Sequence, residues 1–179
     1  MGIYTPYTWE IGVGGGTPID KTNLDHLETQ YDAALTSIHK TADQIVNNSN
    51  VLVNDTHLLF PVGANEVWSV FLYCRVLTTA AADFKYAFAV PAGGSLPFTA
   101  NHLFMTWGGA FLNNILSREF AVQQQPAVQA TVDWVLLVWG VYIGGANAGN
   151  VQFQWSQQAA EATNTTVYKD SYIIARQIA

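Results

Sequence analysis

From residue 51 to its end, the chain is a succession of short strand-like segments separated by turns, and no other feature limits its fold as strongly. Apolar runs such as VWSVFLYCRVL at residues 67–77 alternate with turn residues at 63–65, 91–95, 123–126, 144–150 and 161–164. An all-strand region with turns at roughly 10-residue intervals is typical of a sandwich or barrel. In VQFQW, residues 151–155, the alternation places Val151, Phe153 and Trp155 inward and both glutamines outward. The pattern predicts a mainly β domain over residues 48–179, an antiparallel, jelly-roll-like β-sandwich.

Residues 1–19, which precede this region, show neither a helical nor a strand period. They are rich in glycine, threonine, proline and aromatic residues, among them Tyr4, Tyr7 and Trp9. We predict an N-terminal arm whose aromatic side chains pack either on the arm's own domain or on another subunit.

Residues 20–47 change to a helical pattern that starts at Asp20, a good N-cap residue. Because the apolar residues recur at steps of three and four, we expect one amphipathic helix with Lys40 on its polar face. The heptad repeat within the stripe leaves two alternatives open, a self-associating bundle and packing on the β domain. The residues predicted to form an assembly interface are Tyr4, Tyr7, Trp9, Leu24, Leu27, Tyr31, Leu35, Ile38 and Ile45.

The composition argues against binding to nucleic acid and against membrane insertion. Only 11% of the residues are charged, against about 25% in an average soluble domain. The surface is therefore coated by uncharged polar residues, buried against partners, or both. A net charge of −6 with seven lysines and arginines gives no basic stripe for phosphates. The longest apolar stretch, residues 135–143, is about half of what a bilayer crossing needs, and no secretory signal follows Met1.

No catalytic, cofactor-binding or metal-binding pattern stands out in the sequence. The glycine-rich segments lack the residues of a nucleophile elbow or a phosphate-binding loop, and the histidines do not share a metal-binding spacing. Most carboxylates of the β region lie at strand starts or turns, where they commonly accept hydrogen bonds from backbone amides. Cys74 lies in an apolar run and is interpreted as a small buried hydrophobe. We therefore predict a protein that is not an enzyme and that has no cofactor.

The tryptophans are expected to lie mostly in the core, because each sits in a strand-like segment. One or two of them could instead form a platform for a sugar ring. The five in the β region are Trp68, Trp107, Trp134, Trp139 and Trp155.

Several strings resemble bacteriophage virion proteins. GGTPID at residues 15–20, followed by NLDHLE at 23–28, is similar to the opening of tail-fibre and baseplate proteins of tailed phages. NDTHLLFPVGANEVW at 54–68 and DFKYAFAVPAG at 83–93 resemble a β module that recurs in phage virion proteins. AGNVQFQWSQ at 148–157, residues 163–167 and SYIIAR at 171–176 resemble its last strands. The resemblance covers most of residues 15–176, although the long repetitive shaft of a fibre is missing.

The resemblance implies a virion structural subunit, usually trimeric, on a tail fibre, a baseplate or a capsid. It implies other virion proteins as partners, assembly in the host bacterial cytoplasm, and no catalytic residues. Because the chain stops after one domain, a capsid-decoration role or a short tail appendage is also expected. The alternative hypothesis is a carbohydrate-binding module that recognises a host-surface glycan. A glycan-degrading enzyme is a weaker hypothesis, since it requires two carboxylates about 5 to 10 Å apart in a cleft.

Overall fold

A computed structural model describes residues 35–105, 111–118 and 132–179 of the chain, and the described part is all β. The proposed arm and residues 20–34 of the predicted helix lie outside the described residues. The described residues form eleven strands, β1 to β11 in chain order: Leu35–His39, Gln44–Val46, Val53–Val62, Val67–Thr78, Phe84–Ala89, Phe98–Met105, Phe111–Arg118, Val132–Ile143, Gly149–Gln157, Thr165–Val167 and Tyr172–Gln177.

The strands form two antiparallel sheets, which confirms the predicted β-sandwich. The large sheet has the order β1-β11-β4-β8-β6-β7, and β10 pairs with both β4 and β2 at one end. The small sheet has the order β3-β9-β5. The chain crosses between the sheets at every step from β3 to β6 and again from β8 to β9.

The core lies between the two sheets and is rich in aromatic rings. Phe84 of the small sheet contacts Trp134 of the large sheet edge-on, with 5.4 Å between ring centroids, and Phe60 contacts Trp68 at 5.7 Å. The alternation predicted for residues 151–155 is confirmed, because Trp155 and its inward neighbours are fully buried while the two glutamines are half-buried. Burial of these rings supplies most of the hydrophobic stabilisation of the sandwich.

The strand β3 joins two segments that the sequence suggests as separate strands, residues 51–54 and 57–62. Its pairing with β9 shifts between Asn54 and Leu59, as expected at a β-bulge. At this irregularity the Asp55 carboxylate accepts hydrogen bonds from the amides of His57 and Leu58, at 2.9 and 3.0 Å. The bulge therefore directs the Asp55 carboxylate into the core, and the amides of His57 and Leu58 are hydrogen-bonded to it.

The helix predicted for residues 20–47 is wrong over residues 35–46. Residues 35–39 pair with β11 as an edge strand of the large sheet, from Leu35 opposite Arg176 to His39 opposite Tyr172. Residues 44–46 pair with β10. Lys40, assigned to the solvated face of the helix, is fully buried. The ammonium group of Lys40 pairs with a carboxylate in the core, and a solvent-facing position on a helix would not allow this contact. Tertiary interactions therefore override the helical pattern of the local sequence.

Candidate assembly surface

The two outer faces of the sandwich differ in chemistry. The outer face of the small sheet is polar: Gln154 donates to the Asn54 side chain at 2.8 Å, and Gln152 donates to the Asp55 carbonyl at 2.9 Å. The outer face of the large sheet, by contrast, carries large apolar side chains that are each exposed over more than a third of their surface, and these are Leu35, Trp139, Val141, Ile143 and Ile174.

The sheet register brings most of these side chains side by side. Ile174 of β11 lies opposite Phe71 of β4, and Phe71 lies opposite Trp139 of β8, so three strands contribute one continuous apolar row. One step along the strands, Val141 lies opposite Ser69. We call Ser69, Phe71, Trp139, Val141 and Ile174 the apolar patch.

Aromatic contacts hold the centre of the patch in place. The rings of Phe71 and Trp139 lie 5.4 Å apart and are tilted by 48°. Phe71 also contacts Tyr172 at 6.0 Å, and Tyr172 stacks on Tyr73 at 5.2 Å. Trp139 nevertheless remains 45% exposed, which is unusual for the largest apolar side chain.

A shallow, open depression of about 500 Å³ lies beside Trp139. Its hydroxyl groups come from Ser69 and Thr99, and the rest of its lining is apolar or backbone. The lining residues are Ser69, Val70, Phe71, Pro97, Phe98, Thr99, Trp139, Gly140 and Val141.

Charged side chains lie only at the margins of this face. At one end, Arg75 donates to Asp133 at 2.5 Å and its guanidinium lies 4.5 Å from the centre of the Tyr168 ring. The hydrogen bond from Arg75 to the Asp133 carboxylate raises the pKa of Arg75 above its ordinary value. At the other end, Arg176 lies opposite Ser69. An apolar centre with a polar margin is the usual anatomy of a protein–protein interface.

A buried ion pair lies on the opposite side of the large sheet, inside the sandwich. Lys40 donates to both oxygens of Asp55, at 3.0 and 2.9 Å, and both side chains are fully buried. Trp155 donates to the same carboxylate at 3.1 Å, and Lys40 donates to Gln44 at 3.3 Å. Because every donor and acceptor is an internal group, the pair fixes residues 40–44 onto the small sheet.

Two other reactive side chains are also enclosed in the core. His102 is fully buried in β6 and shares a hydrogen bond of 3.0 Å with the Tyr86 hydroxyl. Burial lowers the pKa of His102 to about 4, so the imidazole is neutral at pH 7. Burial likewise raises the pKa of the Cys74 thiol, which confirms the interpretation of Cys74 as a buried hydrophobe.

Carboxylates at turns accept hydrogen bonds from backbone amides, as predicted. Glu66 accepts from the Gly63 amide at 2.6 Å and from the Trp68 indole at 3.0 Å, and Glu161 accepts from the Ala162 amide at 3.1 Å. Within the described residues, no group of three or more metal-ligating side chains could hold an ion. The same residues include no helix that is long and apolar enough to cross a membrane.

Three of the nine assembly residues predicted from sequence are described, and these three do not share one surface. Leu35 is exposed on the outer face of the large sheet, Ile38 packs against the core, and Ile45 is 55% exposed on β2. The other six, Tyr4, Tyr7, Trp9, Leu24, Leu27 and Tyr31, lie outside the described residues.

Sequence reasoning missed the apolar patch, although a signal for it exists. Trp134 and Trp139 are five residues apart, and an odd separation within one strand places two side chains on opposite faces. Trp134 is buried and Trp139 is exposed, so the prediction of a core position is wrong for Trp139. It is confirmed for Trp68 and Trp155, while Trp107 lies outside the described residues.

No protein-family model matches the chain, and no curated protein is significantly similar to it. Among solved structures, the tripod from the baseplate of bacteriophage Tuc2009 is 8% identical with a TM-score of 0.34, over 97% of this chain and 75% of that one. The infectious bursal disease virus Gt strain gives 11% identity and a TM-score of 0.17, over 81% of this chain and 36% of that one. The VP2 subviral particle of infectious bursal disease virus gives 10% and 0.21, over 81% and 41%. TM-scores this low establish neither a common fold nor a common function.

Proposed function

We propose that the chain is a non-enzymatic structural subunit of a bacteriophage virion, a tail-fibre, baseplate or capsid-decoration protein that works as a homo-oligomer. The carrying observation is the contrast between the two outer faces of the sandwich. One carries hydrogen-bonded glutamine and asparagine side chains, and the other exposes the tryptophan, isoleucine and valine side chains of the apolar patch. An apolar surface of this kind is typical of a protein interface.

The interior supports a structural role in preference to a catalytic one. Among the described residues, the buried titratable groups are the Lys40–Asp55 pair, the His102–Tyr86 pair, Cys74, Lys85 and Tyr142. Each is enclosed, so none presents a reactive atom to a substrate. Residues 15–28 and 54–93 resemble phage virion proteins, and this resemblance supports a role in a virion. Proteins of this kind are usually trimers.

Two experiments test this proposal. Light scattering on the purified full-length chain should give a mass of two or more subunits of 19.6 kDa, held over a range of concentrations. An antibody against the chain should label purified particles of the phage that encodes it in the electron microscope. A monomer at all concentrations argues against the oligomer, and unlabelled particles argue against the virion role.

A carbohydrate-binding role is the second candidate, and the depression beside Trp139 favours it. An exposed indole can stack on the apolar face of a sugar ring, and the hydroxyl groups of Ser69 and Thr99 line the same depression. Binding to an array of bacterial surface glycans, lost in Trp139→Ala and kept in a variant of the opposite outer face, Gln154→Ala, supports this role. An array with no signal above the control removes it.

A further inference from the structure

We propose that the outer face of the large sheet is the contact between copies of this chain, so that the apolar patch of one subunit packs against the patch of a second. This inference rests on the proposed homo-oligomer and names its interface as a two-fold contact, which makes a dimer in place of the trimer that the resemblance implies. It replaces the predicted helical stripe as the principal assembly surface.

The charge distribution favours a second copy as the occupant. The chain as a whole carries a net charge of −6, so two copies repel each other through most of their surface. On the outer faces of β1, β11, β4, β8 and β6, however, the charged residues are Arg75, Arg176 and Asp133. Asp133 is the one carboxylate among them and is paired with Arg75, so two acidic copies can approach through this face with little repulsion between carboxylates.

The size of the face also suits self-association. The apolar patch extends over three neighbouring strands, β11, β4 and β8, which is about 10 Å at a strand spacing of about 4.8 Å. From Val67 to Tyr73 the outer positions of these strands extend about 20 Å at about 3.3 Å per residue. An area of about 200 Å² forms the centre of a contact, and the polar surface around it supplies the rest of the about 800 Å² that a standard interface takes from each partner.

The arrangement of side chains is compatible with contact between two identical faces. The centre contains the apolar residues Phe71, Trp139 and Ile174 and the small residue Ser69, whereas the charges lie at the ends. A two-fold related copy therefore places apolar groups against apolar groups at the centre. Tryptophan at the centre of a contact commonly carries a large share of the binding energy.

Crosslinking of full-length chains tests the geometry. Ser69 is exposed within the patch, and the natural Cys74 is fully buried, so Ser69→Cys adds one accessible thiol. A short bismaleimide should crosslink Ser69→Cys into dimers. Asn54→Cys, on the outer face of the small sheet, and the parent chain serve as matched controls and should stay uncrosslinked.

Charge insertion tests the energetics independently. Val141→Lys places an ammonium group in the patch, and Gln154→Lys places the same group on the polar outer face of the small sheet. We expect Val141→Lys to raise the dissociation constant by about 30-fold or more, which is about 2 kcal/mol, and Gln154→Lys to leave it unchanged. Circular dichroism should be the same for both variants, since each substituted side chain is at least partly exposed.

The results separate this inference from the proposed function. An oligomer that survives Val141→Lys and does not crosslink through Ser69→Cys refutes the patch and leaves the oligomer intact. A full-length monomer refutes both. If the thiol of Ser69→Cys in that monomer does not react with a monofunctional maleimide, another segment of the same chain covers the face, which also refutes the inference.

Discussion

Replacing Lys40 by methionine tests whether the buried ion pair holds the β1–β2 segment on the sandwich. Methionine keeps most of the side-chain volume but removes the ammonium group that contacts Asp55 at 2.9 and 3.0 Å. The Asp55 carboxylate, fully buried, then loses its only neutralising partner shown among the described residues. Removing one member of such a pair costs about 3–5 kcal/mol.

We expect Lys40→Met to lie near the lower limit, at about 3 kcal/mol. The reason is that Asp55 keeps three donors, the amides of His57 and Leu58 and the indole of Trp155. Because a domain is stable by only about 5–15 kcal/mol, a loss of this size removes a large share of the total. At a urea m-value of about 2 kcal/mol/M, the unfolding midpoint falls by about 1.5 M.

The assay is urea unfolding followed by tryptophan fluorescence, at one fixed protein concentration because association shifts the apparent stability. Lys169→Met, at an exposed position, is the matched control and should change stability by less than about 0.5 kcal/mol.

A second substitution makes the test sharper. Asp55→Asn keeps an oxygen for the His57 and Leu58 amides but removes the charge. Added to Lys40→Met, it should restore part of the stability, although alone it destabilises by leaving Lys40 unpaired. If Lys40→Met costs less than about 1 kcal/mol, or if Asp55→Asn lowers the stability of Lys40→Met further, the ion-pair argument is wrong.

Three further predictions concern the core and one turn. His102 binds its proton less readily in the folded chain, with a pKa of about 4 against 6.5; stability should therefore fall by about 3 kcal/mol as pH drops through that window. The slope in melting temperature against pH should flatten in His102→Gln, which can still bond Tyr86. Cys74 should react with a thiol reagent only at the rate of unfolding, and fast labelling in buffer contradicts its burial. Gly144→Ala should lower stability by about 1–3 kcal/mol in urea, because its Cβ meets the Glu66 carbonyl at 2.7 Å; an unchanged midpoint contradicts this close approach.

The strands could be predicted from sequence because their period is local. The alternation of residues 151–155 predicts the faces of β9, and the structure agrees. The bulge at Asp55 could not be predicted in the same way, since a shift of pairing register depends on partners distant in sequence, such as Trp155. Two separate strands were the expectation for residues 51–62, and a single irregular strand is the result.

The helix prediction failed over residues 35–46 for a related reason. The helical stripe includes Leu35, Ile38 and Ile45. In a short segment, however, the same apolar residues can match both the helical and the strand periodicity. The deciding information lies in β11, which pairs with residues 35–39, and in Asp55, which neutralises Lys40. Neither partner is visible in the local pattern, so the sequence of residues 35–46 alone does not distinguish a strand from a helix.

The apolar patch could be expected only in part. Residues 134–143, WVLLVWGVYI, are apolar at nearly every position, which implies a strand buried on both faces. One face packs on the small sheet, but the sequence does not say what covers the other. The structure locates that other face on the outside of the large sheet, and a covering partner becomes the simplest account of its composition.

The position of Leu35 explains why point variants test this account better than truncation. Leu35 starts the edge strand β1, opposite Arg176, and its exposed side chain lies on the same outer face as the apolar patch. A chain shortened before Leu35 removes the predicted arm and also leaves a new chain terminus at Leu35, on the same face as the patch, so weaker association would fit either location of the interface. Val141→Lys alters the patch alone and decides between them.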